Sequence, residues 1–72
     1  MAHTEVTRWV VAVRRRTGFS RSVFAALAGL STSYVGMIEA GEREPSLAVV
    51  RRIARCFPVL PLTIGSQGEG EP

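Results

Sequence analysis

Apolar residues recur at helical spacing in separate stretches of this chain, and each stretch carries its own start and stop signals. Val6, Trp9, Val10 and Val13 fall on one face of a first helix. Thr4 suits its N-cap and Glu5 its first turn, while Arg14, Arg15 and Arg16 crowd the last turn, where cations are favoured. Gly18 supplies a left-handed stop. Ser20 caps a second helix that runs through Ala25, Ala26, Leu27 and Ala28 to Gly29. Ser31 caps a third, with Val35 and Ile38 facing inward and Gly41 ending it. Pro45 and Ser46 open a fourth, whose apolar stripe is Leu47, Val50, Ile53, Ala54 and Phe57. Phe19 with Phe24, and Leu30 with Val35, have the spacing of hydrophobic staples. Together these signals predict two short helices joined by a tight turn, with a helix on either side: a helix-turn-helix.

Beyond the fourth helix, Pro58 and Pro61 bracket Val59 and Leu60, which argues against a long fifth helix. The segment from Val59 to Ile64 reads as extended chain or as a single helical turn starting at Pro61. From Gly65 the composition is Gly, Ser, Gln, Glu and Pro, and disorder is expected. The expected division is therefore a helix-turn-helix domain over 1–64 and a flexible tail over 65–72.

Seventy-two residues allow one small domain. A single Cys rules out an intramolecular disulfide, and one Cys with one His cannot supply the four ligands of a structural zinc. Cys56 reads as an ordinary half-buried helix residue. His3 falls in an N-terminus expected to be mobile and receives no role. Trp9, Phe19, Phe24 and Phe57 occupy helix-face or staple positions and are expected in the core. No nucleophile–base, metal-ligand or phosphate-loop constellation is present, so neither enzymatic activity nor a cofactor is expected. The opening residues lack the pattern of a secretory leader, and the apolar runs are too short to span a bilayer. A cytoplasmic location away from membranes is expected.

Charge narrows the choice of partner. All nine basic residues are Arg, and the net charge is +3. Without Glu69 and Glu71 of the tail, nine arginines face four carboxylates, a balance of +5. Such a surface favours a polyanion, although a solvated Arg-rich surface would have the same composition.

The stretch from about Val10 to Val59, some two thirds of the chain, resembles the Cro/repressor-type helix-turn-helix family, also called the xenobiotic-response-element family. The resemblance rests on Gly18-Phe19-Ser20, Ala25, the turn Gly29-Leu30-Ser31, then Ser33-Tyr34-Val35, Ile38-Glu39-Ala40-Gly41, Arg43 and Pro45-Ser46-Leu47. It implies an all-α, compact bundle of four or five helices of the lambda-repressor-like kind. It also implies sequence-specific binding of double-stranded DNA, usually as a homodimer on a palindromic site. Ala25 is expected where helices two and three cross closely, and Gly29 where the turn needs a positive backbone angle.

The resemblance also distributes roles. Base reading falls to Thr32, Ser33, Gly36 and Met37 at the start of helix three. Hydroxyls bond several base edges, and Met contacts a thymine methyl. None is a bidentate reader such as Gln, Asn or Arg, so more weight is expected on phosphate contacts and DNA shape. Gly36 is either an aid to close approach or tolerated drift at an exposed site. The family commonly has Gln at the second residue of helix two; Arg21 stands there and takes over its phosphate contact with added charge. Ser20, Tyr34 and Arg43 are further phosphate candidates. Arg14 and Glu39 match the family's ion pair between helices one and three. Val59, Leu60, Leu62 and Ile64 are candidates for the dimer interface, because VLPLTI is unusually apolar.

These readings point to a transcriptional regulator, a repressor. Two alternatives stand beside it. One is the DNA-binding antitoxin of a toxin–antitoxin pair, with a small toxin as partner. The other is a protein-interaction module that has lost DNA binding.

Overall fold

A computed structural model describes residues 3–62. Four helices follow one another: α1 (Glu5–Thr17), α2 (Arg21–Ala28), α3 (Thr32–Glu39) and α4 (Leu47–Cys56). No strand occurs among the described residues. Each helix starts on a hydroxyl cap. Thr4, Ser20, Ser31 and Ser46 accept from the backbone N–H three residues on, at 3.0–3.2 Å. Each cap thereby satisfies one of the first-turn donors that a helix leaves unpaired.

The ends are equally local. Gly29 takes φ +72°, Leu30 N–H donates to Ala25 C=O at 2.8 Å, and Gly29 N–H donates to Ala26 C=O at 3.2 Å. This pair of bonds is the Schellman termination, and it needs a residue at ease in the left-handed region. The same pair recurs after α3, where Gly41 N–H donates to Ile38 C=O and Glu42 N–H to Met37 C=O. The Gly29 turn reverses the chain so that α2 and α3 meet at 112°, within the range of helix-turn-helix units.

The core takes residues from every helix. Trp9, Val10 and Val13 come from α1, Phe24, Ala25 and Ala28 from α2, Val35 and Ile38 from α3, Val50 and Ile53 from α4, and Phe57 follows. Buried Ala25 fits the expectation of a small residue where α2 packs on α3. Phe24 stacks on Phe57 with ring centroids 4.6 Å apart. Thr7 is buried as well; its hydroxyl donates to Thr4 C=O at 3.0 Å, so the site is satisfied.

The structure corrects several expectations. Phe19 is partly exposed, and its ring meets Phe57 edge-on rather than forming a private staple with Phe24. Leu47, at 64% exposure, and Ala54 lie outside the core stripe of α4, while Val49 packs against it. Cys56 is exposed; its thiol donates to Leu27 C=O at 3.7 Å. His3 has a partner: its Nε2 lies 2.8 Å from Glu39 C=O. Residues 58–60 form a turn and bend rather than extended chain. Trp9 Nε1–H donates to Leu60 C=O at 2.9 Å, and Leu60 and Leu62 pack on the core. The segment is thus tied back to α1. Ile64 and the tail over 65–72 lie outside the described residues.

Candidate nucleic-acid interface

Four residues expected to read bases lie on α3, whose inward positions are Val35 and Ile38. Thr32 and Gly36, like Ser33 and Met37, are one helical turn apart, so the four share a face. Thr32 and Ser33 are exposed; Gly36 and Met37 are half-buried. A Cβ built on Gly36 would have no neighbour within 4 Å. The fold therefore does not require glycine there. With no side chain at Gly36, the space a Cβ would take stays open and the backbone there is uncovered.

Tyr34 is half-buried against the core. The Arg43 guanidinium carbon sits 5.6 Å from the Tyr34 ring centroid, a cation–π contact. It holds a charged side chain of the loop after α3 beside the first turn of that helix. Ser20 contributes its hydroxyl to capping α2, and this same oxygen is 3.2 Å from Ser22 Oγ.

Polar packing is densest at Glu39, the last residue of α3. Arg14 of α1 addresses it with two donors, Nε to Oε2 at 2.5 Å and Nη2 to Oε1 at 3.1 Å. Its third group, Nη1, donates to Phe19 C=O at 2.9 Å. One guanidinium thus joins the end of α1, the lead-in to α2 and the end of α3. Arg21 adds a second cation, Nε to Oε1 at 2.8 Å. The Glu39 side chain is only 5% exposed. Burial pushes its carboxyl up, but hydrogen bonds and charge from Arg14 and Arg21 outweigh that and hold it below the ordinary carboxylate value. The hydrogen bond to Glu39 raises Arg14, against a smaller opposing effect of burial.

The family resemblance pointed to Arg14 with Glu39. It did not place Arg21 at the same carboxylate, because that contact depends on the turn of α2 against α3. Arg52 was also missed: its Nη1 donates to Gly29 C=O at 3.3 Å and fastens α4 to the turn. The candidates at the chain's end separate from this region. Leu60 and Leu62 face their own core, and Val59 is 40% exposed.

The helix starts share an electrostatic feature. The first turn of α1 carries Glu5, whereas those of α2, α3 and α4 carry no acid. The positive ends of these three dipoles are left unneutralised, which suits anionic partners. No single helix among the described residues is long and apolar enough to cross a membrane.

A family model described as helix-turn-helix matches residues 11–64. Searches of the curated proteins and of the solved structures gave no match.

Proposed function

The chain belongs to the Cro/C1-type helix-turn-helix family of DNA-binding regulators, and from that premise we propose a repressor that binds a palindromic operator as a homodimer. The observation that carries the reading is the outer face of α3. It offers Thr32, Ser33, Gly36 and Met37 together, with Arg43 held beside it on Tyr34. Small polar groups, uncovered backbone and a thioether suit a close approach to base edges and thymine methyls. Ser20, Arg21, Tyr34 and Arg43 are assigned to phosphates, and Arg14 with Glu39 to the frame that holds α3. The reading assigns no catalytic chemistry and no cofactor.

Two-fold symmetry is part of the proposal because a palindromic site mirrors a two-fold protein. Val59 is the exposed candidate of the terminal segment. Val23 and Leu27, one turn apart on α2 and 45% and 55% exposed, are further apolar surface for a second copy.

Selection of binding sites from a random duplex pool tests the proposal. The expected outcome is one enriched, palindromic motif, whose preference shifts at specific positions for Met37→Ala while folding is kept. A pool that shows no enrichment after repeated rounds would remove the operator-reading function and return the module to protein partners, a small toxin among them.

A further inference from the structure

We infer that Glu39 is a positioning residue for DNA: by gripping Arg21 through Nε, it presents the rest of that guanidinium as a fork for one phosphate at the start of α2. The inference rests on the DNA-binding reading above and deepens it.

The geometry divides the donors of Arg21 cleanly. Nε–H is spent on Glu39 Oε1 at 2.8 Å. The two terminal amino groups have no hydrogen bond to any described residue, and the side chain is 55% exposed. A guanidinium has five N–H donors in a rigid plane, so fixing one edge orients the other. The anchor is itself fixed: Glu39 is 5% exposed and held by both Nε and Nη2 of Arg14. Two cations share one carboxylate, so the trio keeps a net positive charge towards a ligand.

The surroundings of the fork suit an anion. Arg21 is the first residue of an eight-residue helix whose first turn carries no acid. The Arg21 and Ser22 backbone N–H groups have no acceptor among the described residues, whereas Val23 N–H and Phe24 N–H are taken by Ser20. A phosphate there would meet two amides, the helix dipole and the Arg21 fork. An arginine already held in place loses less freedom on binding than a free one, which favours the complex. Lysine is a poor substitute. Its three donors radiate from one flexible point charge, so anchoring on Glu39 does not leave a rigid two-donor edge aimed at the phosphate, as arginine's planar fork does.

The test measures affinity for the selected duplex across several salt concentrations, using the full chain and the variants Arg21→Lys, Arg21→Ala, Glu39→Gln and Arg21→Ala/Glu39→Gln. Thermal melts confirm folding. Arg21→Ala should weaken binding about tenfold and reduce the salt slope by about one. Arg21→Lys, despite its charge, should fall within about threefold of Arg21→Ala. Glu39→Gln should weaken binding about tenfold alone, and less than about twofold further when Arg21 is already Ala. Wild-type affinity in Arg21→Lys overturns the inference. So does a Glu39→Gln loss that persists in the Arg21→Ala background, which would mean that Glu39 acts only through Arg14. If Glu39→Gln does not fold, the comparison of Arg21→Lys with Arg21→Ala decides alone. Absence of salt-dependent DNA binding by the wild type would instead defeat the regulator reading, and this assignment with it.

Discussion

Glu39 concentrates more polar structure than any neighbouring side chain of the helix-turn-helix, and its protonation should be felt in stability. Its folded carboxyl lies below the ordinary value because Arg14 and Arg21 outweigh the opposing effect of burial. The stabilisation is therefore complete above the unfolded carboxylate range, near pH 4.5, and is lost as pH falls through the lower folded value. Glu39→Gln should cost about 2–3 kcal/mol at neutral pH, since it leaves the half-buried Arg14 and the more exposed Arg21 without their anion. Thermal melts from pH 7 to pH 2 should show the gap between wild type and Glu39→Gln closing as pH falls below the carboxylate range. A gap that stays constant would contradict the ion-pair account. Gly36 is the other residue whose substitution separates fold from function. A Cβ there meets open space, so Gly36→Ala should raise stability by about 1 kcal/mol. If the uncovered backbone serves close approach to DNA, affinity should drop at the same time. Stability and affinity rising together would mark Gly36 as drift.

Helix ends were legible in the sequence because capping is local. Ser20, Ser31, Gly18 and Gly29 do their work within four or five residues, and that is the range over which a spacing pattern is reliable. Contacts between elements were less legible. A stripe fixes which side of a helix faces inward but not how far the core extends along it. Leu47, at the first position of α4, therefore satisfied the period and still lies outside the core. Phe19 had the spacing to reach Phe24, yet its ring meets Phe57 edge-on, and Phe57, brought in from beyond α4, is also the ring on which Phe24 stacks. The three-way junction at Glu39 was half visible for the same reason. Arg14 followed from the family pattern, while Arg21 required knowing how α2 turns against α3 at 112°. That turn can be tested at element scale. Gly29→Ala must hold φ +72° with a Cβ only 3.3 Å from Arg52 Nη1. It should cost about 1–2 kcal/mol, measured by urea unfolding, and the Ser31→Ala cap variant should cost about 1 kcal/mol. A neutral Gly29→Ala would mean that the turn does not fix the α2–α3 angle.

At the scale of the whole molecule, charge and shape address the same partner. Nine arginines face four carboxylates outside the Glu69–Glu71 stretch, and the starts of α2, α3 and α4 add unneutralised dipoles. On the proposed reading, small polar groups on α3 with no bidentate reader leave phosphate contacts to supply much of the affinity, with sequence preference resting on a few close contacts. The measurement that tests this most directly is binding of the purified protein to DNA from upstream of its own gene against random duplex, titrated over salt. The account predicts that the upstream DNA binds at least about a thousandfold more tightly at physiological salt, and that both affinities fall linearly on a log–log salt plot. Equal, weak binding to both DNAs, or binding that salt does not change, would contradict it.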